Sequence, residues 1–217
     1  MINTSLLIDS LKATLVMVSI SASIALVFGI PIGVGLTVTA KGQFLQNKFI
    51  HKILSSIVTL GRAIPFVILM IAVIPLTRFI VGSSIGTAAS IVPLAIAAVP
   101  YFARLVEGKF KAIPQGVIEA ALSMGFTPLQ IMTKVLLPET LPGILNATTI
   151  LCVSLTEYSA MAGMVGGSGL GNMAIQYGYY QFDNAVLLQA ICALIILVLS
   201  IQFLGDFFTR KISRKLK

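Results

Sequence analysis

Residues 13–40, with the sequence ATLVMVSISASIALVFGIPIGVGLTVTA, contain no charged side chain. About 20 consecutive apolar residues are enough for a helix to cross the roughly 30 Å hydrocarbon core of a bilayer. The run therefore predicts a membrane-spanning helix. It is also longer than the apolar region of a cleaved signal peptide, which has about 7–15 residues, and residues 1–11 lack the usual Lys or Arg.

The composition of the whole chain agrees with this interpretation. Hydrophobic residues make up 57% of its 217 residues and charged residues 10%, and the mean hydropathy is +1.01. Soluble domains carry about 25% charged residues, and disordered chains are poor in apolar residues. The composition therefore excludes a water-soluble enzyme and a disordered chain, and it predicts an integral membrane protein.

Further runs of low charge predict an all-α, polytopic membrane protein with five transmembrane helices. The glycine-rich segment Gly163–Gly171 is expected to end the fourth span, so that residues 166–183 form a loop. The predicted spans are residues 13–40, the stretch between Lys52 and Arg78 with Arg62 inside it, a helix from near Gly86 to residue 103, residues 140–165 with Glu157 inside them, and residues 184–205.

The positions of the basic residues predict the orientation, because Lys and Arg accumulate in cytoplasmic loops. The segment after span one, residues 104–138 and the tail hold three, four and five of the fifteen Lys and Arg. We therefore expect an external N-terminal segment at residues 1–12, a transmembrane domain at 13–205 with a cytoplasmic loop at about 104–138, and a short basic cytoplasmic tail at 206–217.

Neither a metal centre nor a nucleotide site is predicted. Cys152 and Cys192 lie in apolar runs, and His51 has no Cys or acidic neighbour. The chain has no Gly-x-x-x-x-Gly-Lys-Ser/Thr phosphate-binding sequence, so we expect no ATP hydrolysis by this chain. Because the basic residues form short clusters between the apolar runs, we expect no binding to nucleic acid.

The cytoplasmic loop carries the signals of a short, well-delimited helix. Pro114 is suited to the first helical position, residues 115–124 continue the helix, and Gly125 can end it in a left-handed conformation. Thr127 and Gln130 then have the spacing of a capping box at the start of the next helix.

The short helix has two possible roles. The spacing i, i+3, i+4, i+7 places apolar side chains in a stripe, which suits either a helix on the membrane surface or a docking helix for a cytoplasmic protein. Small Ala120 and Ala121 beside Glu119 favour docking, because membrane-surface helices prefer basic and bulky apolar residues. The stripe consists of Val117, Ala120, Ala121 and Met124.

The same loop resembles the EAA motif of ABC importer permeases. The matching residues are Glu119-Ala120-Ala121, Gly125 and Val135-Leu136-Leu137-Pro138, with Val where isoleucine is usual. Other segments resemble the methionine-import permeases in particular: Arg62–Phe66, Ile91–Leu94, Lys134–Gly143, Tyr158–Gly163 and Tyr177–Tyr179.

This resemblance implies the fold of a type I ABC importer permease in a bacterial inner membrane. It implies a homodimer, two cytoplasmic ATPase subunits that bind ATP and Mg, and an external methionine-binding protein. The cargo would be methionine, in both D- and L-forms, moved by alternating access. The implied ATPase-coupling residues are Glu119, Ala120, Ala121, Met124, Gly125 and Pro138.

The fourth span supplies the candidate pathway or gate residues. Glu157 and Ser168 depart from the family pattern, which has glycine at both positions. An acid within a span marks a candidate functional site, and Glu157 can either face an aqueous path or pair with Arg62. The candidates are Glu157, Tyr158, Ser159, Met161 and Met164; ordinary helix-packing positions are the alternative for each of them.

Two other kinds of transporter remain as alternatives. One is an ABC permease for another amino acid or a small organic ion. The other is an ion-coupled secondary transporter, which typically uses intramembrane acids and paired repeats. Only Glu157 satisfies the first of these conditions, and the sequence shows no evident repeat.

Overall fold

A computed structural model describes residues 4–214, and every regular element in that range is helical. Two π-helical turns, Ile131–Leu136 and Met173–Tyr179, and a 3-10 turn, Gly163–Val165, join the helices. The helices are α1 (Thr4–Val38), α2 (Lys48–Ala63), α3 (Phe66–Ala72), α4 (Ile74–Val81), α5 (Thr87–Lys111), α6 (Gln115–Ser123), α7 (Pro128–Gln130), α8 (Leu137–Ala162), α9 (Leu170–Asn172) and α10 (Asn184–Ser213). The predicted all-α class is confirmed.

Four stretches within residues 4–214 are long and apolar enough to span a membrane: α1, α5, the continuous helical stretch Pro128–Val165, and α10. The predicted second span is not one straight helix, because α2 and α3 meet at an angle of 101°. Ile64 is extended (φ −83°, ψ 123°), as expected for the residue before Pro65, since the proline ring disfavours a helical conformation there. The predicted count of five spans is reached only if the bent pair of α2 and α3 is counted as one span.

Several predicted boundaries differ from the structure. The first helix begins at Thr4 and the last one ends at Ser213, because helices continue beyond the charge-free stretch that marks their membrane portion. The prediction of a loop over residues 166–183 is wrong in its centre, since α9 and the following π-helical turn occupy residues 170–179. Gly166 (φ +87°) and Gly169 (φ +100°) break the chain direction only briefly.

Helices α1 and α5 form the most extensive helix–helix contact within residues 4–214. A Cβ atom on Gly33 would lie 2.7 Å from the carbonyl oxygen of Ala103, and one on Gly29 would lie 2.9 Å from the Phe102 ring. Phe102 is completely buried. These two glycines therefore allow the two spans to approach closely, and α8 completes the same core.

The loops gather at two opposite ends of the bundle. At one end the Gly86 N–H donates a hydrogen bond to the Gly166 carbonyl at 3.0 Å. At the other end the side-chain amide of Gln115 donates to the Gly42 carbonyl at 3.3 Å. The loops that the charge pattern assigns to one side of the membrane therefore lie together in the fold.

Candidate functional site

The predicted short helix is present as α6, and both of its flanking signals have a structural role. Pro114 is the N-cap (φ −58°, ψ 134°), one position earlier than expected, because its backbone is still extended. After the helix the Thr127 N–H donates to Gln130 Oε1 at 2.9 Å, and the Gln130 N–H donates to Thr127 Oγ1 at 3.4 Å. The predicted capping box is confirmed.

The end of α6 is a Schellman motif. Gly125 adopts φ +77°; its N–H donates to the Leu122 carbonyl at 2.9 Å, and the Phe126 N–H donates to the Ala121 carbonyl at 3.1 Å. This pair of bonds satisfies carbonyls that the helix end would leave unpaired. The predicted left-handed stop at Gly125 is confirmed, and it sets the exit direction of the chain.

The two sides of α6 face different surroundings. Ile118 and Ala121 are 7% and 1% exposed and belong to the main core. Ala120 and Glu119 are exposed. The predicted apolar stripe is therefore divided: Ala121 packs inside the chain, whereas Val117, Ala120 and Met124 point outward.

The inner side of α6 rests on the π-helical turn Ile131–Leu136, which leads directly into α8. Pro138, half-buried at the start of α8, has no N–H to donate to the carbonyl of residue 134, and such positions commonly disturb a helix. A contiguous packed segment thus joins α6 to the fourth span.

The candidate pathway residues of the fourth span separate into three environments. Glu157, Met161 and Met164 line one side of an open apolar groove of about 590 Å³, and Leu194, Ile195 and Leu199 of α10, among others, line the other side. Tyr158 instead stacks on Phe66 of α3, with ring centroids 4.9 Å apart and 9° between the planes.

Ser159 lies in the third environment, inside the helix bundle. It is 2% exposed, and its hydroxyl donates to the Thr156 carbonyl at 2.7 Å. Its hydrogen bond is therefore local to the helix, and Ser159 does not contribute to the groove.

Glu157 and Arg62 do not form an ion pair with each other in the structure. The Arg62 guanidinium lies over the Tyr101 ring, 5.9 Å from the centroid. The ion pairs found within residues 4–214 do not include either residue. The suggested Arg62–Glu157 bridge is therefore absent from the described chain.

An ion cluster around the buried side chain of Glu107, on the last turns of α5, was not predicted from the sequence. The Glu107 side chain is 2% exposed, and its carboxylate lies 2.6 Å from Arg104 Nη1 and 2.7 Å from Lys111 Nζ. The spacing i−3 and i+4 on a helix was the available signal. This cluster fixes the end of α5 just before α6 begins.

The described residues provide no metal centre, since no group of three His, Cys, Asp or Glu side chains comes together within residues 4–214. Cys152 and Cys192 are free thiols. His51 Nδ1 lies 3.0 Å from the Leu36 carbonyl oxygen, which gives this imidazole a structural contact.

Residues 13–217 match the family described as "Binding-protein-dependent transport system inner membrane component". The chain belongs to this family. As a member it is an inner-membrane transport component rather than an enzyme. The predicted resemblance to ABC importer permeases, and to the methionine-import permeases among them, is confirmed.

The sequences of curated relatives align with most of this permease or with nearly all of it. The "Probable D-methionine transport system permease protein MetI" of Vibrio cholerae is 48% identical over 99% of this chain and 95% of its own length. The "D-methionine transport system permease protein MetI" of Escherichia coli K12 is 49% identical over 73% of each chain.

Solved structures show the same architecture. A chain of the MetNI methionine ABC transporter, in inward-facing conformations, matches with a TM-score of 0.94 and 47% identity over 96% of this permease and 97% of that chain. An amino acid ABC transporter matches with a TM-score of 0.79 at 22% identity, which shows the shared fold alone. The predicted type I importer permease fold is confirmed.

Proposed function

We propose that this permease imports methionine, in its D- and L-forms, by ATP-driven alternating access. The observation that carries the proposal is the likeness, over 99% of the chain, to a relative named for D-methionine transport. Two copies would enclose the pathway, two ATPase subunits would bind ATP and Mg, and an external binding protein would deliver the amino acid.

The geometry of α6 supports its role as the ATPase-docking element. The helix exposes Glu119, Ala120 and Met124 while its other side is anchored in the core. Gly125 ends it sharply. Ala121 contributes by seating α6 on its own chain, and Pro138 lies where the motion would enter α8.

The exposed face of α10 supports assembly with a second copy in the lipid bilayer. Large apolar side chains cover most of this helix, and only Val186, Ala190 and Leu197 are buried among its residues. The groove of Glu157, Met161 and Met164 opens on the same side. Thioether and apolar side chains there provide surfaces that suit a methionine side chain, with Tyr158 and Ser159 on the neighbouring faces of the span.

Reconstituted vesicles that contain permease, ATPase and binding protein test the proposal. We expect uptake of labelled L- and D-methionine that stops without ATP and persists with an uncoupler. Preferential uptake of another amino acid would favour the alternative of an ABC permease for another amino acid or a small organic ion. Loss of uptake with the uncoupler alone would favour an ion-coupled mechanism.

Orientation is tested by cysteine labelling in a variant that lacks Cys152 and Cys192, because Cys192 is exposed. Cysteines placed near Ser83 and near Asn172 should react with an impermeant external reagent, and a cysteine at Gln43 should not. Labelling of Gln43 in sealed cells would reverse the proposed topology, with the N-terminus outside and the C-terminus in the cytoplasm.

A further inference from the structure

Helix α2 has three distinct faces. One face packs on the chain through Leu54, Val58 and Gly61, and a second exposes large apolar side chains, among them Ile53, Ile57 and Leu60. The third face, here called the α2 polar stripe, consists of Lys52, Ser55, Ser56, Thr59 and Arg62. All members of this stripe are exposed except Ser55, which is half-buried.

The α2 polar stripe is suited to water rather than lipid. Hydroxyl and charged groups are costly in hydrocarbon, so they face a bundle interior or an aqueous cavity, and the second face of α2 already suits lipid. A groove of about 490 Å³ follows the stripe, lined by His51, Lys52, Ser55, Ser56, Thr59 and Leu60. Its lining contains basic and hydroxyl side chains and no acid, a combination that favours a negatively charged group.

Arg62 stands at the inner end of the stripe, on the last turn of α2 before the 101° bend. At 1.5 Å per residue it lies about 15 Å along the helix from Lys52, next to the charge-free run of residues 63–77. Within residues 4–214, Arg62 has a ring contact with Tyr101 and neither a hydrogen bond nor an ion pair. Its planar set of N–H donors is held against a ring and remains available.

The surroundings hold this guanidinium in place and extend the site. The Tyr101 hydroxyl is fixed by Ser154 Oγ at 3.2 Å, so the ring under Arg62 is anchored to α8. Four residues after Arg62 along the chain, Phe66 stacks on the Tyr158 ring of α8.

We propose that Arg62, on the face of Tyr101 at the head of the α2 polar stripe, binds the carboxylate of the transported amino acid inside the membrane. The proposal rests on the import function above and names a subsite for it. Guanidinium and carboxylate form paired, charge-assisted hydrogen bonds, and the stripe would offer hydroxyl groups to the same carboxylate on its way out.

The test measures binding to the purified permease–ATPase complex without the binding protein. Labelled L-methionine is the ligand, and the competitors are methioninamide, which lacks the carboxylate, and 4-(methylthio)butyrate, which retains it. Binding to the isolated ATPase subunit is measured separately and subtracted. We expect the wild type to prefer the two carboxylates over the amide by about tenfold or more, as expected for a charge-assisted hydrogen bond.

Arg62→Gln should weaken methionine binding about 10–100-fold, the range expected for loss of a charged hydrogen-bond partner, and leave methioninamide binding unchanged. Arg62→Lys keeps the charge but not the planar donors, so it should retain part of the preference even if Arg62→Gln assembles poorly. Arg78→Gln is the matched control, because Arg78 is exposed on α4 and bonds to Ser84.

An unchanged carboxylate preference in Arg62→Gln, or no preference in the wild type, would overturn the inference. If Arg62→Gln does not assemble, Arg62→Lys provides the test. A preference for carboxylates over the amide as large as that of the wild type would then also overturn the inference. Methionine uptake by wild-type vesicles is scored independently. Normal uptake with either of these results rejects the subsite alone, whereas absent uptake rejects the proposed function.

Discussion

The turn at Gly163–Gly171 and the end of α6 at Gly125 both depend on glycine, but they do so for different physical reasons. A Cβ atom on Gly163 would lie 2.8 Å from Asn172 Cα, and one on Gly171 would lie 2.7 Å from the carbonyl carbon of Ala160. Neither glycine has a positive φ. Gly125 has φ +77°, and an added Cβ there would meet nothing within 4 Å.

The difference shows how the two ends of the permease are built. At the Gly163–Gly171 turn, backbone touches backbone, so the segment has no room for an alternative arrangement. At Gly125 the conformation is specified but the space around it is empty. A tightly packed closure at one end and an exposed, sharply ended helix at the other are suited to a fixed element and a docking element, respectively.

The largest expected effect belongs to the packed end. Gly171→Ala should remove most of the folded complex, because the methyl group meets main-chain atoms of Ala160 that cannot rotate away; overpacking of this kind costs about 1–3 kcal/mol or more. The loss of folded complex is measured as the yield from size-exclusion chromatography and as the temperature of thermal unfolding. Gly108→Ala is the matched control, since a Cβ there meets nothing within 4 Å and φ is not positive. Equal yields from both variants would contradict the comparison.

At the docking end, Gly125→Val should spare the fold and lower ATP-driven methionine uptake about tenfold or more. A β-branched residue in the left-handed region costs about 1–2 kcal/mol, and the exit after α6 would relax to avoid it. The measurements are uptake, ATPase rate and co-purification of the ATPase. Gly125→Asn should stay close to wild type, because asparagine tolerates this conformation. If Asn and Val behaved alike, the backbone angle would not be the cause.

Local signals predicted the elements whose ends are specified by nearby residues. Gly86 is the N-cap of α5, Gly125 ends α6, and Thr127 caps the next helix, all as expected. Each of these features depends on a few neighbouring residues, so the sequence contains the whole cause. Four of the membrane spans were predictable for the same reason, since each one is a contiguous, predominantly apolar stretch, whereas the 101° bend between α2 and α3 was not predicted.

Features that depend on distant neighbours were not predictable. The apolar stripe of α6 did not indicate that Ala121 turns inward while Ala120 stays exposed, because only the packing of α6 on the core decides this. The spacing of three residues predicts that Tyr158 and Met161 share one face of the helix, but Tyr158 stacks on Phe66 and Met161 lines the α10 groove.

The inward turn of Ala121 sharpens the comparison at the docking end. Ala120→Trp should leave thermal stability close to wild type and lower uptake about tenfold, because its side chain points away from the chain and surface changes usually stay within about 0.5 kcal/mol. Ala121→Trp should instead destabilise the permease itself by about 1–3 kcal/mol, since Ala121 is 1% exposed. Thermal unfolding and uptake, measured in parallel, separate the two effects. Loss of stability in both variants would place Ala120 inside the core as well.

The smallest expected effect is that of Gly116→Ala in the first turn of α6. Gly116 has an ordinary helical conformation and open space around it, so alanine should stabilise α6 by about 0.4–1 kcal/mol through the unfolded chain. Gly116 lies four residues before Ala120 and hence on the same side of the helix. One methyl group there measures how closely the ATPase approaches. We expect a slightly higher unfolding temperature and uptake within about twofold of wild type, since a methyl adds far less volume than the Trp at Ala120. A large fall in uptake with unchanged stability would show that the open space beside Gly116 is filled by the partner's backbone, so that Gly116, like the glycines of the Gly163–Gly171 turn, would be required for close packing.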